Sequence, residues 1–290
     1  MILSYPESRQ QSQDLARELG CGQAEIVLHR FPDGESRVTL PDCGEDHVVL
    51  LRSLDRPNDK LVELMLAAKA LRERGARRLT LIAPYLCYMR QDTIFHHGEV
   101  VSQKIIGGLL ASLFDELITV DPHLHRVERL EQAVPVKRAI ALSAAPLFAR
   151  HLREQGCEWL LMGPDAESEQ WVGAIASQCG MPHAVATKQR LSDRNVEIRL
   201  PEVPVQGRRI MLTDDIISTG STLARAAELL QAQGAREIRV LVTHALFTGD
   251  AVELLSHSGI AAIGSSDSIT HPSNIIALVP MLAEAVRSLD

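Results

Sequence analysis

The sequence predicts an α/β protein with two similar domains, each a mainly parallel sheet flanked by helices. Short apolar segments alternate with helix-periodic segments along nearly the whole chain, which is typical of parallel sheets covered on both faces. Short sequence matches recur at a spacing of about 160 residues, which indicates an internal duplication. One apolar run ends in two adjacent carboxylates, followed by a small-residue loop and the start of a helix.

The composition narrows the class of protein. With 290 residues, 46% hydrophobic and 23% charged, the chain resembles a soluble globular protein of one large or two ordinary domains. Its net charge of −7 argues against non-specific nucleic-acid binding. No apolar run is long enough to span a bilayer, and the N-terminal residues do not resemble a signal peptide. The five scattered cysteines include no CxxC pair and fit a reducing compartment, so we expect a cytoplasmic protein.

The elements follow from apolar runs and periodicity. Strands are predicted at Met1–Tyr5, Glu25–His29, His47–Arg52, Arg78–Pro84, Glu116–Asp121, Glu158–Gly163, Arg208–Asp214 and Glu237–Thr243. Helices are predicted at Glu7–Leu19, Asn58–Arg74, Val100–Phe114, Ala144–Glu154, Glu167–Gln178 and Ser221–Gln233. The polar segment Leu191–Gly207 is predicted to be a mobile loop or a hairpin.

The duplication rests on several short matches in the same order. They pair Leu71–Arg77 with Leu230–Arg236, Arg30–Asp33 with Arg190–Asp193, Pro6 with Pro164, and Asp55 with Asp214. We therefore predict two domains of one topology, residues 1–145 and 146–290.

The stretch Asp214–Thr222 is predicted to bind a phosphate. A tight loop before a helix directs several backbone N–H groups into one concavity at the positive end of the helix dipole. Gly220 permits close backbone approach, and the carboxylates of Asp214 and Asp215 suit sugar hydroxyls or a metal ion. The alternative is an ordinary turn with a Ser or Thr cap. The first-half counterpart, Leu54–Lys60, lacks the hydroxyl-glycine run and contains a proline, so that half is expected to contribute a second substrate instead.

Two stretches of the first half carry nucleotide-like chemistry. Phe31–Glu35 places an aromatic ring beside two carboxylates, which suits stacking on a base and accepting from its amine, although a plain turn is the alternative. Arg90, Gln91 and Asp92 follow a predicted strand at the sheet edge where α/β proteins bind ligands. Arg90 can fork onto a polyphosphate, with a surface turn as the competing interpretation.

Further candidates surround an anionic site. Asp121 and His123 are predicted metal or polyphosphate ligands, whereas a transition metal on His123 and His125 lacks an evident third ligand. Asp165 ends a strand of the second half, and nearby carboxylates favour magnesium. Lys188 and Arg190 could close over a transferring phosphoryl group, although a solvated charge run is the usual alternative.

Together these motifs resemble the ribose-phosphate pyrophosphokinase family, also called phosphoribosyl pyrophosphate synthetases, in its archaeal-like form. The resemblance covers nearly the whole chain and rests on the motifs named above, from Phe31–Glu35 to Asp214–Thr222, together with Thr243–His244. It implies two phosphoribosyltransferase-like domains. It also implies transfer of the pyrophosphoryl group of Mg-ATP to the anomeric hydroxyl of ribose 5-phosphate, which leaves AMP and supplies nucleotide biosynthesis.

The resemblance implies a role for each matching position. ATP would be bound by Phe31, Asp33, Glu35, Arg90, Gln91 and Asp92, with the first three often acting across a subunit boundary. Magnesium would be placed by His123 and Asp165, and Lys188 and Arg190 would stabilise the transition state. Ribose 5-phosphate would be bound by Asp214, Asp215, Ile217, Ser218, Thr219, Gly220, Ser221 and Thr222. The family also implies a homo-oligomer built on a dimer, without nucleic acid or membrane partners.

The chain departs from the family pattern at Ser218 and Ser221 in the phosphate loop, at Glu167–Ser168, and in the weakly basic stretch Thr93–Glu99. One alternative is a plain phosphoribosyltransferase, which shares the phosphate loop but does not need the duplicated domain. Another is a non-catalytic synthetase-associated subunit, against which the retained Lys188 and Arg190 argue. Conversion of ATP and ribose 5-phosphate to AMP by the purified chain separates these possibilities.

Overall fold

The chain contains two units, and each is built on a six-stranded parallel sheet with the same strand order. The structure, a computed structural model, describes residues 1–44, 46–94, 96–190 and 196–289. The first unit comprises residues 1–142 and 278–290, and the second comprises residues 143–277. Among the described residues, no helix has both the length and the apolar character required to cross a membrane.

The first unit has a sheet with the strand order β2-β1-β5-β6-β7-β8. Its strands are β1 (Ile2–Ser4), β2 (Gln23–Glu25), β3 (Val27–Arg30), β4 (Ser36–Thr39), β5 (His47–Leu51), β6 (Arg78–Ala83), β7 (Glu116–Val120) and β8 (Arg138–Leu142). Its helices are α1 (Arg9–Leu19), α2 (Pro57–Glu73), α3 (Ser102–Leu113) and α4 (Leu130–Ala133). Strands β3 and β4 form a separate antiparallel hairpin, which does not belong to the six-stranded sheet.

The second unit repeats this plan with the order β10-β9-β13-β14-β15-β16. Its strands are β9 (Leu160–Gly163), β10 (His183–Val185), β11 (Thr187–Arg190), β12 (Val196–Arg199), β13 (Arg209–Ile217), β14 (Glu237–Ala245), β15 (Ala262–Ser266) and β16 (Asn274–Ile276). Its helices are α5 (Ala145–Glu154), α6 (Glu169–Cys179), α7 (Ser221–Ala232) and α8 (Ala251–His257). The central strands β13 and β14 are mostly buried, as both-face coverage requires.

The last helix, α9 (Val279–Ser288), belongs to the first unit. Its buried residues form an apolar face that packs in this unit, where α9 contacts α1. The guanidinium of Arg287 also donates to the backbone carbonyl of Glu18. The predicted domains, residues 1–145 and 146–290, placed this helix in the second domain. The sequence could not show otherwise, because no short-range pattern indicates which sheet a terminal amphipathic helix will cover.

Most predicted elements lie where the apolar runs placed them, with three differences. The predicted strand Glu25–His29 is divided between β2 and β3 at Ile26, which is buried and donates its N–H to Ser4. Strand β13 continues past Asp214, because Ile216 and Ile217 pair with β14. The prediction also omitted β4, β8, β10, β11, β12, β15, β16, α4, α8 and α9.

The segment predicted as a loop or hairpin begins beyond the antiparallel strand β11. Thr187 pairs with Arg199 and Arg190 with Val196, so β11 and β12 form a hairpin. Residues 191–195 lie outside the described residues. The two hairpins, β3–β4 and β11–β12, occupy the same place in the element order of their units, which supports the inferred duplication.

The strand register corrects the residue matches within that duplication. His47 pairs with Arg78 at the start of β6, and Arg209 pairs with Glu237 at the start of β14. Counting from these pairs, the equivalent of Asp214 is Arg52, so the match of Asp55 to Asp214 was wrong. Tyr5 and Asp165 each precede a short 3-10 turn as its N-cap residue. Counted from these turns, Tyr5 takes the place of Asp165, whereas the register of the preceding strands aligns Tyr5 with Pro164. By either count, the match of Pro6 to Pro164 was displaced.

Candidate active site

The loop between β13 and α7 has the geometry that a phosphate site needs. Helix α7 begins at Ser221, and its N-cap is Gly220, whose φ of 74° lies in the left-handed region. The first N–H groups of a helix have no acceptor within the helix, so they remain available to an anion. Thr219 and Ser221 are exposed, and their hydroxyls lie 3.2 Å apart. Ile217 is buried in the core, so only its backbone can reach a ligand.

Residues outside the predicted motif brace this loop. The N–H of Thr248 donates to the carbonyl of Ser218 at 3.0 Å, and their side-chain hydroxyls lie 3.3 Å apart. Leu255 of α8 packs against Gly220, where an added Cβ would lie 3.1 Å from its Cγ. Ser218, one of the departures from the family pattern, therefore fixes the loop instead of leaving it open. Neither Thr248 nor Leu255 carried a sequence signal for this role.

Three carboxylates lie together beside the loop. Asp214 is half-buried and Asp215 is buried at the end of β13, while Asp165 follows β9 in the neighbouring strand position. Asp215 donates its N–H to Asp214 Oδ1 at 3.0 Å, and Asp165 Oδ1 accepts from the N–H of Glu167 at 3.1 Å. Burial, followed by repulsion from Asp215 and Asp165, raises the pKa of Asp214 well above its usual range. A concentration of negative charge of this kind favours a cation or hydroxyl donors as its ligand.

This cluster should destabilise the free protein at neutral pH. Because the pKa of Asp214 is higher in the folded than in the unfolded state, stability falls as the pH rises from the unfolded pKa through the folded one. We expect Asp214→Asn to raise the Tm by a few degrees at neutral pH, without divalent cations, because it removes this charge.

Calorimetry from about pH 5 to about pH 8 in a chelating buffer measures the effect. The difference in Tm between Asp214→Asn and the wild type should narrow towards low pH, where Asp214 becomes protonated in both the folded and the unfolded protein. Glu202→Gln is the control, since it removes an exposed carboxylate of the same unit. A lower Tm for Asp214→Asn at neutral pH would contradict this account of the cluster.

In the first unit, Phe31–Glu35 forms the turn of the β3–β4 hairpin. The N–H of Phe31 donates to the carbonyl of Glu35 at 2.8 Å, and Gly34 closes the turn with a φ of 95°. Phe31 is 39% exposed and packs edge-on against His29, with ring centroids 4.8 Å apart. Asp33 and Glu35 are exposed. The segment is thus a turn, as the alternative interpretation expected, and it also presents an open aromatic face next to two acceptors.

Arg90, Gln91 and Asp92 follow β6 but differ in what they offer a ligand. Arg90 is exposed, whereas the amide of Gln91 donates to the carbonyl of Thr93 at 3.1 Å and therefore supports the loop. The Asp92 side chain is only 3% exposed, and its Oδ1 accepts from Arg126 at 2.6 Å. Its Oδ2 has no hydrogen-bond partner among the described residues. The Asp92 carboxylate therefore holds the exposed guanidinium of Arg126 in place. Arg126 is a cation that the sequence analysis did not single out.

His123 and His125 lie together after β7. Their Nε2 atoms are 2.5 Å apart and their rings meet edge to face. Asp121, considered as a ligand, is buried and donates its N–H to the carbonyl of Leu142. The two imidazoles are therefore the accessible groups of this stretch.

Lys188 and Arg190 lie on β11, in register with Ile198 and Val196 of β12. The hairpin places their backbone directly before residues 191–195. The predicted closing function of these two residues stays a prediction.

Comparisons with known proteins agree on one family. A model described as the N-terminal domain of ribose phosphate pyrophosphokinase matches residues 1–113, and a phosphoribosyl transferase domain model matches residues 134–253. The ribose-phosphate pyrophosphokinase of Methanopyrus kandleri is 36% identical over 294 residues, covering 100% of this chain and 99% of the relative. That of Thermococcus kodakarensis is 33% identical over 270 residues, covering 93% and 95%.

A solved structure has the same fold. The crystal structure of phosphoribosylpyrophosphate synthetase from Mycobacterium smegmatis matches with a TM-score of 0.85 at 23% identity, covering 100% of this chain and 98% of that one. This similarity confirms the predicted pair of phosphoribosyltransferase-like domains.

Proposed function

The chain belongs to the ribose-phosphate pyrophosphokinase family, and we propose that it forms phosphoribosyl pyrophosphate from ATP and ribose 5-phosphate, releasing AMP. One structural observation supports the assignment of substrates to units. Of two sheets with identical strand order, the second carries a small-residue loop at the start of a helix, beside the clustered carboxylates of Asp165, Asp214 and Asp215. In the first, the equivalents of Asp165 and Asp214 are Tyr5 and Arg52, which stack on each other.

The second unit takes the acceptor. The 5-phosphate lies on the backbone N–H groups and hydroxyls of Thr219, Ser221 and Thr222, where the helix dipole and hydrogen bonding act together. The carboxylates of Asp214 and Asp215 accept from the ribose hydroxyls. Ile217, Ser218 and Gly220 shape the loop and contribute backbone groups.

The first unit takes the donor. Phe31 stacks on the adenine, and Asp33 and Glu35 accept from its exocyclic amine. Arg90 forks onto the phosphates, while Gln91 and Asp92 hold the surrounding loop and Arg126 in place.

Magnesium fits the carboxylate side of the site. Oxygen ligands are the usual ones for this ion, and the raised pKa of Asp214 reflects a site where a cation would relieve repulsion. Asp165 is the proposed ligand in the second unit, and His123 the proposed group in the first. Bound magnesium would neutralise charge on the phosphate oxygens of ATP.

The chemistry is a single displacement. The anomeric oxygen of ribose 5-phosphate forms a bond to the β-phosphorus and loses its proton, while the bond from that phosphorus to the AMP oxygen breaks. Charge increases on the oxygens of the transferred group, and Lys188 and Arg190 are proposed to stabilise that charge.

A product assay tests the proposed reaction. The purified chain with ATP and ribose 5-phosphate should release AMP and phosphoribosyl pyrophosphate in equal amounts. Activity only with phosphoribosyl pyrophosphate and a purine base would instead identify a phosphoribosyltransferase. Inactivity of the isolated chain, restored by another protein, would identify an associated subunit.

We also propose that the chain is a homo-oligomer built on a dimer. Val62, Met65 and Leu66 are exposed at helix spacing on α2, and Val27 and Ile105 are exposed elsewhere in the first unit. Light scattering after gel filtration should give a mass of at least twice 31.9 kDa. Leu66→Glu should lower that mass, whereas Val252→Glu on α8 of the second unit should not. A wild-type monomer would contradict this proposal.

A further inference from the structure

The first unit contains a closed version of the phosphate site. Arg52 occupies the strand position of Asp214 and is only 3% exposed. Its guanidinium lies 3.7 Å from the ring centre of Tyr5, which occupies the place of Asp165. A cation–aromatic stack therefore stands in the first unit where the second unit has the carboxylates of Asp165 and Asp214.

Arg52 is paired with two carboxylates of its own unit, and its Nη1 donates to the carbonyl of Lys60 at 3.3 Å. Its Nε donates to Glu7 at 2.8 Å and its Nη2 to Glu63 of α2 at 2.6 Å. The Tyr5 hydroxyl donates to the backbone carbonyl of Glu63 at 3.2 Å. Burial raises the pKa of Tyr5, which keeps that hydroxyl protonated as a donor.

The network continues into the hairpin that carries Phe31. The second carboxylate oxygen of Glu63 accepts from the hydroxyl of Ser36, the first residue of β4, at 2.7 Å. On the other strand, Arg30 pairs with Asp59 of α2 at 2.7 Å. Both strands are therefore tied to α2, but only the Ser36 link is joined to a buried charge.

Side chains that line the pocket beneath the β3–β4 hairpin also take part in this network. The pocket measures about 360 Å³, and Arg30, Arg52 and Lys60 on its lining each hold a carboxylate of the same unit. Lys60 donates to Asp55 at 2.6 Å and to the carbonyl of Ser53 at 2.8 Å. These three cations therefore have counter-ions within the network, and the fourth arginine or lysine of the lining, Arg56, is exposed.

A two-stranded hairpin outside the main sheet has little stability of its own and depends on such links for its position. We propose that the closed phosphate site anchors the β3–β4 hairpin. Ser36, Glu63 and Arg52 are then positioning residues for the tip of that hairpin, which carries Phe31, Asp33 and Glu35. This inference rests on the proposed function, in which the hairpin tip holds adenine.

Ser36→Ala tests this anchoring with the least disturbance of the structure, because it removes one hydroxyl from a half-buried position. Losing this hydrogen bond to a buried charge should raise the KM for ATP and the Kd for α,β-methylene-ATP by about tenfold. The KM for ribose 5-phosphate should stay within about twofold of wild type, because the acceptor loop belongs to the other unit. Ser36→Thr, which keeps the hydroxyl, should restore nucleotide binding.

Two further variants complete the test in the full-length protein. Arg37→Ala alters the adjacent, exposed hairpin position and should leave nucleotide affinity unchanged. Phe31→Ala is the reference for loss of the adenine contact and should weaken binding by about tenfold or more.

The inference is overturned if Ser36→Ala binds the nucleotide like wild type while Phe31→Ala does not. It is also overturned if Ser36→Ala changes both substrate KM values equally and lowers the Tm, which is the pattern of a general structural residue. Normal nucleotide binding by Phe31→Ala would contradict the proposed contact of Phe31 with adenine. It would also contradict the proposed role of the network in positioning that contact. The product assay would still decide the reaction separately.

Discussion

Lys188→Ala and Arg190→Ala should each lower kcat by at least about 100-fold, because removal of one preorganised group that stabilises transition-state charge typically costs about 3 kcal/mol of barrier. Neither change should abolish ATP binding, since the proposed nucleotide contacts lie in the first unit. Steady-state rates and the Kd for α,β-methylene-ATP measure the two effects separately.

Arg199→Ala is the matched control for these variants. Arg199 lies on β12 of the same hairpin, paired in register with Thr187, and is a cation outside the proposed machinery. Its kcat should stay within a few-fold of wild type. Near-normal turnover in either Lys188→Ala or Arg190→Ala would remove that residue from the catalytic assignment.

Gly220→Ala should raise the KM for ribose 5-phosphate by roughly 30-fold, because a side chain at this left-handed position costs about 2 kcal/mol. The backbone φ is 74°, and the new Cβ would also lie 3.1 Å from Leu255. The loop would relieve this strain by turning its N–H groups away from the phosphate.

Gly249→Ala provides the comparison for that effect. Gly249 also has a positive φ, 57°, but an added Cβ there meets no atom within 4 Å. Gly249→Ala should therefore carry a similar free-energy cost for a side chain at positive φ, but its KM for ribose 5-phosphate should stay close to that of the wild type. Equal KM values for the two variants would show that Gly220 has no particular role in phosphate binding.

Much of the fold follows from the sequence, because buried parallel strands have a strong local pattern. Strands such as β5 and β6 consist mainly of buried apolar residues, and they lie where predicted. The end of β13 was harder to locate, since Asp214 and Asp215 resemble the start of a loop although the ladder to β14 continues through Ile217. The destination of α9 depends on tertiary packing against α1, which leaves no local pattern.

The candidate site was predictable to the extent that its chemistry is contiguous in the chain. The phosphate loop and the Phe31 turn are short motifs, and both have the expected local geometry. The Asp92–Arg126 pair and the Arg52–Glu63–Ser36 network join distant segments, so spacing could not reveal them. The duplication was visible as sequence matches, but only the strand register showed that Arg52, not Asp55, replaces Asp214.

The central claim is that the β- and γ-phosphoryl groups of ATP move together to ribose 5-phosphate. ATP carrying an isotopic label on the β-phosphorus, incubated with the purified chain, Mg²⁺ and ribose 5-phosphate, tests this claim most directly. We predict that all label leaving the nucleotide appears in phosphoribosyl pyrophosphate, with unlabelled AMP as the nucleotide product. Label retained in ADP, or no transfer to the sugar phosphate, would contradict it.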